Sequence, residues 1–438
     1  MAMSVGIASR FDRLNTVAAR NAMSSFISLV WVNLLSMLVI PFYVRLLGPT
    51  SWGIIAACSS LQVMFSFIDL GFSQIVPRWV ARESNDPASL PRYIQVFQKI
   101  YGGLALGGFL ILQLGAGPLA NRWFNVPHDQ IAELQLCIRL IAFQLLFQFA
   151  NNLYIGVWHG LQLQIQANLR TCVFGTLKHG AAVAVLVYVA PEPAYYACAF
   201  ALVAFAELAV SWWATQRRGL LRAVPGRELS LRPFLKEATM LSAGILVGLS
   251  VSQLDRIVLS RTMSVDNFGV YVVVANLAMA FLALQTPLTR AYFPLLVQEA
   301  KQHGRVHPAT LRRLLLGNTA LCVLPALLVA VWAEQILRLW VHNEHFVELG
   351  VTPLRLLLLA MCFNALYNCF YQVIIAYGKA HIVIKINLVC LAVGVATAAA
   401  FFSHPSLWLG GLIWIVTTFT QLLLGSAWYW TGNAQGRS

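Results

Sequence analysis

The chain has 438 residues, of which 59% are hydrophobic and only 11% charged, with a mean hydropathy of +0.71. Soluble domains carry about 25% charged residues, so this composition excludes an ordinary soluble protein. The net charge of +14 lies in short segments between apolar runs, a pattern typical of cations that face anionic lipid. We therefore expect a multi-pass membrane protein that does not bind nucleic acid.

Apolar runs of membrane-spanning length recur along the whole chain. Each can cross about 30 Å of hydrocarbon at about 1.5 Å per residue as a helix. Because the runs show no period-two alternation, they favour helices over a barrel. We predict an all-α protein of about twelve transmembrane helices, at residues 21–46, 52–76, 97–118, 134–158, 168–190, 194–215, 236–260, 268–293, 312–335, 350–376, 381–402 and 406–430.

The distribution of lysine and arginine predicts the orientation. Most cations lie on the side that holds both termini and the connections after even-numbered spans. By the positive-inside rule, both termini are then cytoplasmic. The opposite side has short loops, the longest at residues 334–350, which leaves no room for an outer catalytic domain. Its cations are Arg45, Arg122, Arg139, Arg261, Arg338 and Arg355.

A basic strip at the middle of the chain divides the predicted spans into two sets of six. We interpret residues 217–235 as a cytoplasmic linker, part of which lies on the inner leaflet as an amphipathic segment. It joins an N-terminal six-helix bundle at 1–216 to a C-terminal six-helix bundle at 236–438. The basic strip as a whole runs from Thr215 to Ala238, and its cations are Arg217, Arg218, Arg222, Arg227, Arg232 and Lys236.

An internal repeat relates the two halves. RLLGPTSWG at 45–53 opens the second predicted span, and RTMSVDNFG at 261–269, which begins 216 residues later, opens the eighth. A weaker similarity pairs 160–168 with 378–387. Since six spans per repeat give both halves the same orientation, we expect a pseudo-twofold axis along the membrane normal, as in MATE-like folds.

The first span of each half carries one stripe of small or polar residues. Gly244, Gly248, Ser252 and Asp255 fall on one face of the seventh span, and the first span carries a similar face at residues 21–28. Small residues at this spacing permit tight helix packing. The same stripes could instead line a hydrated cavity, and the two roles do not exclude each other.

Ionisable residues inside predicted spans are candidates for function, because an unpaired charge in hydrocarbon is expensive. Lys178 and Glu207 lie at matching depths in the fifth and sixth spans, so we predict that they are close neighbours. Asp255 and Arg256 point in different directions on one helix, and each therefore needs another partner. Asp69 precedes Gly71, which can break the second span.

Signatures of catalysis and metal binding are missing. The sequence has no HExxH, GxSxG or Walker pattern, and its eight cysteines form no CxxC. We expect no metal, no cofactor and no enzymatic activity.

The chain resembles the Wzx-type polysaccharide flippases of the MOP (multidrug/oligosaccharidyl-lipid/polysaccharide) exporter superfamily. The resemblance lies in RNAMSSFISLVWVNLLSMLVIPFYVRLLGPTSWG at 20–53 and RPFLKEATMLSAGILVGLSVSQLDR at 232–256, and it extends over nearly the whole chain. The familiar motifs are LG-x3-aromatic-G ending at Gly53, Asp-Leu-Gly at Asp69, Asp-Arg at Asp255 and Phe-Pro at Phe293.

The resemblance implies a protein of the bacterial inner membrane that exports an undecaprenyl-pyrophosphate-linked oligosaccharide for O-antigen, capsule or exopolysaccharide assembly. Two six-helix bundles would surround a central cavity and rock to alternate access. The implied partners are this glycolipid, membrane lipids, a polysaccharide polymerase and a chain-length regulator. We expect Lys178, Glu207, Asp255, Arg256, Asp69, Asn151, Asn152, Asn364 and Asn368 to line the cavity.

Other functions remain open at this point. A MATE-like exporter of small cations would favour an acidic cavity, whereas the buried charges here show no acidic excess. A membrane polysaccharide polymerase or ligase would need a catalytic outer loop, which the short outer loops argue against. A membrane scaffold without transport would have little use for buried charges.

Overall fold

A computed structural model of the protein describes residues 2–69, 71–84, 86, 89–222 and 232–435. These residues form helices joined by short connections. The α-helices are α1 (Ala2–Ile68), α2 (Phe72–Glu83), α3 (Leu90–Pro118), α4 (Ile131–Gly160), α5 (Gln164–Tyr188), α6 (Pro193–Arg217), α7 (Arg232–Thr262), α8 (Val265–His303), α9 (Pro308–Asn318), α10 (Leu324–Val331), α11 (Ala333–Val341), α12 (Glu344–Ala376), α13 (Ala380–Ala400) and α14 (Trp408–Gln435). Most of the amphipathic segment predicted for the linker falls on 223–231, outside the described residues.

The predicted all-α membrane fold is confirmed. Within the described residues, ten helical stretches are long and apolar enough to cross a membrane. One of them, Arg20–Gln62, contains the first predicted span and the beginning of the second, with a kink at Gly48 between them. Gly48 has a φ of +76°, a conformation that glycine adopts without steric penalty, and Pro49 then starts the next helix. The remaining predicted span, at residues 236–260, falls on the helix α7.

The second span is shorter than predicted. α1 ends at Ile68 instead of continuing to residue 76, and α2 begins at Phe72. Gly71 separates them with a φ of +74°, so the predicted helix break at this glycine is confirmed. Pro77 lies inside α2 without ending it.

The segment predicted as the longest outer loop, residues 334–350, is instead helical except at His342 and Asn343. α11 occupies its first half, and α12 begins at Glu344. Ala333, Leu337 and Val341 are buried at four-residue intervals, whereas Arg338 is exposed and pairs with Glu344 at 3.3 Å. This amphipathic spacing was visible in the sequence and explains why the segment folds as a short surface helix.

The chain forms two compact units. Unit 1 comprises Met1–Val39, Gly71–Gly115 and Ile138–Thr239, and unit 2 comprises Ile40–Leu70, Ala116–Cys137 and Met240–Ser438. The division into bundles at residues 216 and 236 stays a prediction.

In unit 1, the polar face of α1 packs on α5. Asn168 Nδ2 donates hydrogen bonds to Ser24 Oγ at 2.9 Å and to Ser25 Oγ at 3.0 Å. Ser28 Oγ donates to the Asn168 carbonyl at 3.4 Å. At these positions the polar stripe of the first span therefore serves helix packing.

Unit 2 is built around α12, which packs against α14, α8 and α10. The small stripe of α7 faces α13, since a Cβ on Gly244 would lie 3.2 Å from Ile384 and one on Gly248 would lie 3.7 Å from Asn387. The packing role of this stripe thus holds at both glycines.

The two copies of the repeated motif contact each other inside unit 2. A Cβ on Gly269 would lie 3.0 Å from the Gly53 Cα, and Trp52 Nε1 donates to the Gly269 carbonyl at 3.2 Å. A Cβ on Gly53 would lie 2.4 Å from the Val265 carbonyl oxygen. Equivalent residues meet in this way where a twofold operator relates them.

Gly53→Ala should destabilise the protein, because the new methyl group meets backbone that cannot move aside. We expect a loss of about 1–3 kcal/mol, seen as a lower thermal unfolding temperature in detergent. Gly102→Ala is the matched control, since Gly102 is also helical and has no atom near its Cβ position. This control should gain about 0.5–1 kcal/mol from helix propensity. Equal unfolding temperatures for the two variants would contradict the close contact.

Candidate functional site

Lys178 and Glu207 form an ion pair in the middle of α5 and α6. Lys178 Nζ lies 3.0 Å from Glu207 Oε2, and the two side chains are only 16% and 9% exposed. The predicted proximity is confirmed. Mutual neutralisation explains how both charges are tolerated at this depth.

Further polar side chains recur at helical spacing on the faces of α5 and α6 that carry this pair. Arg170 lies two turns before Lys178 on the same face of α5, and Ser211, Thr215 and Arg218 follow Glu207 on one face of α6. Glu207 and Arg218 are separated along the helix by about 16 Å. The facing stripes of α5 and α6 therefore form a polar track that runs from the middle of the span to its end.

Two arginines stack on one tryptophan at the end of this track. The Arg170 guanidinium lies 3.8 Å from the centre of the Trp158 ring, and the Arg218 guanidinium lies 4.7 Å from it. Trp158 is buried, and its Nε1 donates to Thr215 Oγ1 at 3.0 Å, which fixes the ring. Arg218 also donates to Gln166 Oε1. Cation–π contacts of this kind hold the guanidinium groups without neutralising them.

We refer to Lys178, Glu207, Arg170, Arg218 and Trp158 as the cationic cluster. Within the described residues, its only ion pair is that between Lys178 and Glu207. The cluster thus holds three cations against one carboxylate. A cavity of about 10 Å³ adjoins it, lined by Glu207, Arg170, Tyr154 and Ser211 among others. That volume suits one water molecule.

The predicted asparagines of α4 lie on the same helix as Trp158 of this cluster. Asn151 is buried two turns before Trp158 on the same helix face, and its Oδ1 has no hydrogen-bond partner among the described residues. Asn152 is half-buried on the neighbouring face.

Asp255 and Arg256 each find a partner on α8, as their different directions predicted. Tyr271 Oη donates to Asp255 Oδ2, and Arg256 Nη2 donates to Asn276 Oδ1 at 3.0 Å. Asp255 is only 1% exposed. Gly410 leaves room for the Tyr271 ring, because a Cβ there would lie 2.5 Å from the phenol oxygen. Both partners are neutral, so the charge of Arg256 is not cancelled by its contact with Asn276.

The asparagines of α12 belong to a network of side-chain amides. Gln285 of α8 donates to Asn364 Oδ1 at 3.3 Å and accepts from Asn368 Nδ2 at 2.7 Å. Gln372 Nε2 donates to Asn368 Oδ1 at 3.3 Å. Gln285 is buried and both asparagines are half-buried, so the network reaches from the interior of unit 2 toward its surface.

The predicted site residues therefore fall into separate groups. Unit 1 contains Lys178, Glu207, Asn151 and Asn152, and unit 2 contains Asp255, Arg256, Asn364, Asn368 and Asp69, which directly follows α1. Their joint role as cavity lining stays a prediction.

The sequence analysis missed three partners that shape these groups, namely Arg170, Tyr271 and Gln285. Arg170 could have been found from its spacing to Lys178, which places both on one helix face. Tyr271 and Gln285 offered no such signal, because α8 is apolar around nearly its whole circumference there.

Removal of one partner from the Lys178–Glu207 pair should destabilise unit 1. Lys178→Met or Glu207→Leu leaves an uncompensated buried charge, with an expected loss of about 3–5 kcal/mol. The double variant should recover most of this stability, as thermal unfolding in detergent would show. Additive losses in the double variant would rule out a direct pair.

The Tyr271 hydroxyl should matter for stability because it is a donor to a buried carboxyl group. Tyr271→Phe should lower the free energy of unfolding by about 1–3 kcal/mol. Tyr367 provides the control, since its hydroxyl is also buried but has no hydrogen-bond partner among the described residues. Tyr367→Phe should change stability by less than about 0.5 kcal/mol. The same loss in both variants would argue against the bond to Asp255.

Solved structures with a similar fold are membrane transporters and flippases. The lipid II flippase MurJ in an inward closed conformation matches with a TM-score of 0.70 at 10% identity, over 93% of this chain and 86% of that one. The MATE multidrug transporter DinF-BH in complex with R6G matches with a TM-score of 0.68 at 13% identity, over 94% and 95% of the chains. The Vibrio cholerae MATE transporter VcmN in its bent form matches with a TM-score of 0.63 at 13% identity, over 96% and 97%. At these identities the matches show a shared fold.

Sequence comparison identifies the family. No curated protein matches the chain. The MatE family model matches residues 241–399, and the model described as polysaccharide biosynthesis protein matches residues 18–300, which is more than half of the chain. The expected membership of the MOP superfamily is confirmed. The chain belongs to the polysaccharide biosynthesis protein family of MOP-type transporters and flippases.

Proposed function

We propose that this protein moves a polyprenyl-pyrophosphate-linked oligosaccharide across the bacterial inner membrane. The observation that carries the proposal is the cation excess of the cationic cluster, in a chain of the polysaccharide biosynthesis protein family. A pyrophosphate group carries negative charge that cannot cross hydrocarbon unaided. Three cations against one carboxylate favour such a group over a cationic drug.

Arg170 and Arg218 are the best-placed residues for the pyrophosphate. Each guanidinium presents several N–H donors in one plane, which suits bidentate contact with phosphate oxygens. Their stacking on Trp158 leaves their charge available, unlike that of Lys178, which Glu207 neutralises. Glu207 would adjust the net charge of the cluster when the anion enters and leaves.

The sugars would be bound by side-chain amides and aromatic rings. Asn151 and Asn152 on α4, and Asn364 and Asn368 on α12, offer both donors and acceptors to hydroxyl groups. The prenyl tail would remain in the lipid while the headgroup crosses through the protein interior. Both termini would be cytoplasmic, and rocking of the two halves would alternate access.

The product would serve surface polysaccharide assembly, as O-antigen, capsule or exopolysaccharide. A polysaccharide polymerase and a chain-length regulator would then act on the exported glycolipid. Arg256 rests against a neutral amide and Asp255 against a phenol, and both residues would respond to an ion or to the headgroup. The bond changes of glycan assembly belong to those other proteins, so this chain itself would act without catalysis.

A small-molecule exporter is the second candidate, and the MatE match at residues 241–399 favours it. MATE transporters with the same fold include one solved with R6G bound. Against this candidate, the cationic cluster would repel a cationic substrate. Growth of cells in the presence of cationic dyes would separate the two functions, because only an exporter of small cations would protect cells from such dyes.

Arg170→Gln should reduce glycan export about tenfold or more, because a charge-assisted contact with the pyrophosphate is lost. The measurement is the ratio of lipid-linked oligosaccharide retained inside to surface polysaccharide, in a deletion strain complemented with each variant at equal protein level. Arg217→Gln is the matched control, since Arg217 also stacks on a tryptophan, Trp213, at 3.9 Å but lies outside the cluster.

The control should export normally. Undiminished surface polysaccharide with Arg170→Gln would remove this residue from the substrate path. Normal export in the deletion strain itself would refute the proposed function.

A further inference from the structure

A second basic site lies in unit 2, far along the chain from the cationic cluster. An open cleft of about 560 Å³ is formed by the connection between α3 and α4 together with the end of α7. This volume falls within the range of small-molecule binding sites, about 300–1,000 Å³. Its position on the connections between spans puts it at a membrane face.

The lining of the cleft is rich in groups that bind anions. Arg122, Arg261 and His128 line it together with the amides of Asn121 and Asn125, and all five side chains are exposed. Within the described residues, neither arginine is paired with a carboxylate. Both guanidinium groups are therefore available to a ligand, and two arginines with nearby amides match the oxygen atoms of a phosphate group.

The rim of the cleft is held in place by contacts with α7 and α8. The Val265 amide donates to the Asn125 carbonyl at 3.0 Å, and Trp123 Nε1 donates to Ser260 Oγ at 3.2 Å. Arg261 Nη1 donates to the Trp123 carbonyl at 3.3 Å, which leaves its other N–H groups to the cleft. These three contacts fix the backbone of the rim and the side chain of Arg261, which lowers the ordering cost of binding at that residue.

The charge distribution indicates which membrane face carries the cleft. Arg122 and Arg261 belong to the side of the chain that is poor in cations, which is the outer side by the positive-inside rule. This orientation rests on the topology of the proposed function, whereas the anion-binding chemistry of the cleft does not.

We infer that this cleft binds a phosphate-bearing headgroup at the outer face of the membrane. Two sources supply that chemistry, namely the diphosphate of an exported lipid-linked glycan and the phosphate of an outer-leaflet phospholipid. The exported diphosphate would give the transporter a receiving site that is separate from the cationic cluster. A phospholipid would instead anchor the connection between α3 and α4 to the leaflet surface.

Hydrogen exchange measured by mass spectrometry tests this inference on the full-length protein. In dodecyl maltoside micelles and phosphate-free buffer, inorganic pyrophosphate should slow exchange in peptides that cover residues 119–131. In a titration, Arg122→Gln should raise the pyrophosphate concentration needed for half-maximal protection about tenfold or more. Arg122→Lys should retain part of the binding, because the charge is kept while the planar fork is lost.

Arg139→Gln is the matched control, because Arg139 is also exposed on the cation-poor side but lies outside the cleft. Its titration should equal that of the unchanged protein. A second arm uses nanodiscs of phosphatidylglycerol without pyrophosphate. Protection in the nanodiscs that Arg122→Gln abolishes identifies a phospholipid as the occupant, and protection by pyrophosphate alone identifies a diphosphate.

Absence of protection in both arms, or equal protection in Arg122→Gln and Arg139→Gln, would overturn the site. The outcome is independent of glycan export. A protein that binds pyrophosphate at this cleft but exports no glycan would keep the site and lose the proposed function.

Discussion

The low polarity of hydrocarbon is the constraint that governs this molecule, because every charge inside a span needs a partner. The chain meets this demand in two ways. Lys178 is neutralised by Glu207, whereas Arg256 and Asp255 rest against an amide and a phenol. Neutralised charges mainly stabilise helix packing. A charge beside a neutral partner is not cancelled by that partner, so it still interacts strongly with other polar groups at low polarity.

The cationic cluster combines both solutions within one unit. At one end Glu207 neutralises the charge of Lys178. At the other end two guanidinium groups stack on the ring of Trp158. An aromatic ring desolvates a guanidinium on one side and leaves its N–H edges accessible. The polar track therefore has a balanced pair of charges in the middle of the span and two cations near its end.

Much of the fold could be predicted from the sequence because its signals are local. Apolar runs located the spans, Gly48 and Gly71 located breaks, and matching depth located the Lys178–Glu207 pair. The error at residues 334–350 arose because short loops were expected outside the membrane, although Ala333, Leu337 and Val341 already had helical spacing.

The partners of buried groups were harder to predict, since they depend on which faces meet. Tyr271 and Gln285 lie in a helix that is apolar on most sides, so periodicity does not distinguish them from packing residues. Arg170 lies near a span end, where an arginine is ordinarily explained by lipid phosphate. Only the three-dimensional arrangement shows that it turns inward onto Trp158. The basic cleft was missed for the same reason, because Arg122 and Arg261 are distant in sequence.

The contact between the two copies of the repeated motif has a consequence for how such a gene can change over time. Gly53 and Gly269 face each other, so a bulkier residue in either copy must be absorbed by the other. Substitutions at these two glycines are therefore sterically coupled, whereas substitutions at positions that face unrelated neighbours are not coupled in this way. Val39 and Ile40, which correspond to Asp255 and Arg256, show how far the halves have diverged elsewhere. The glycine that ends each copy is one of the few residues the two copies still share, and it is the residue at which they meet.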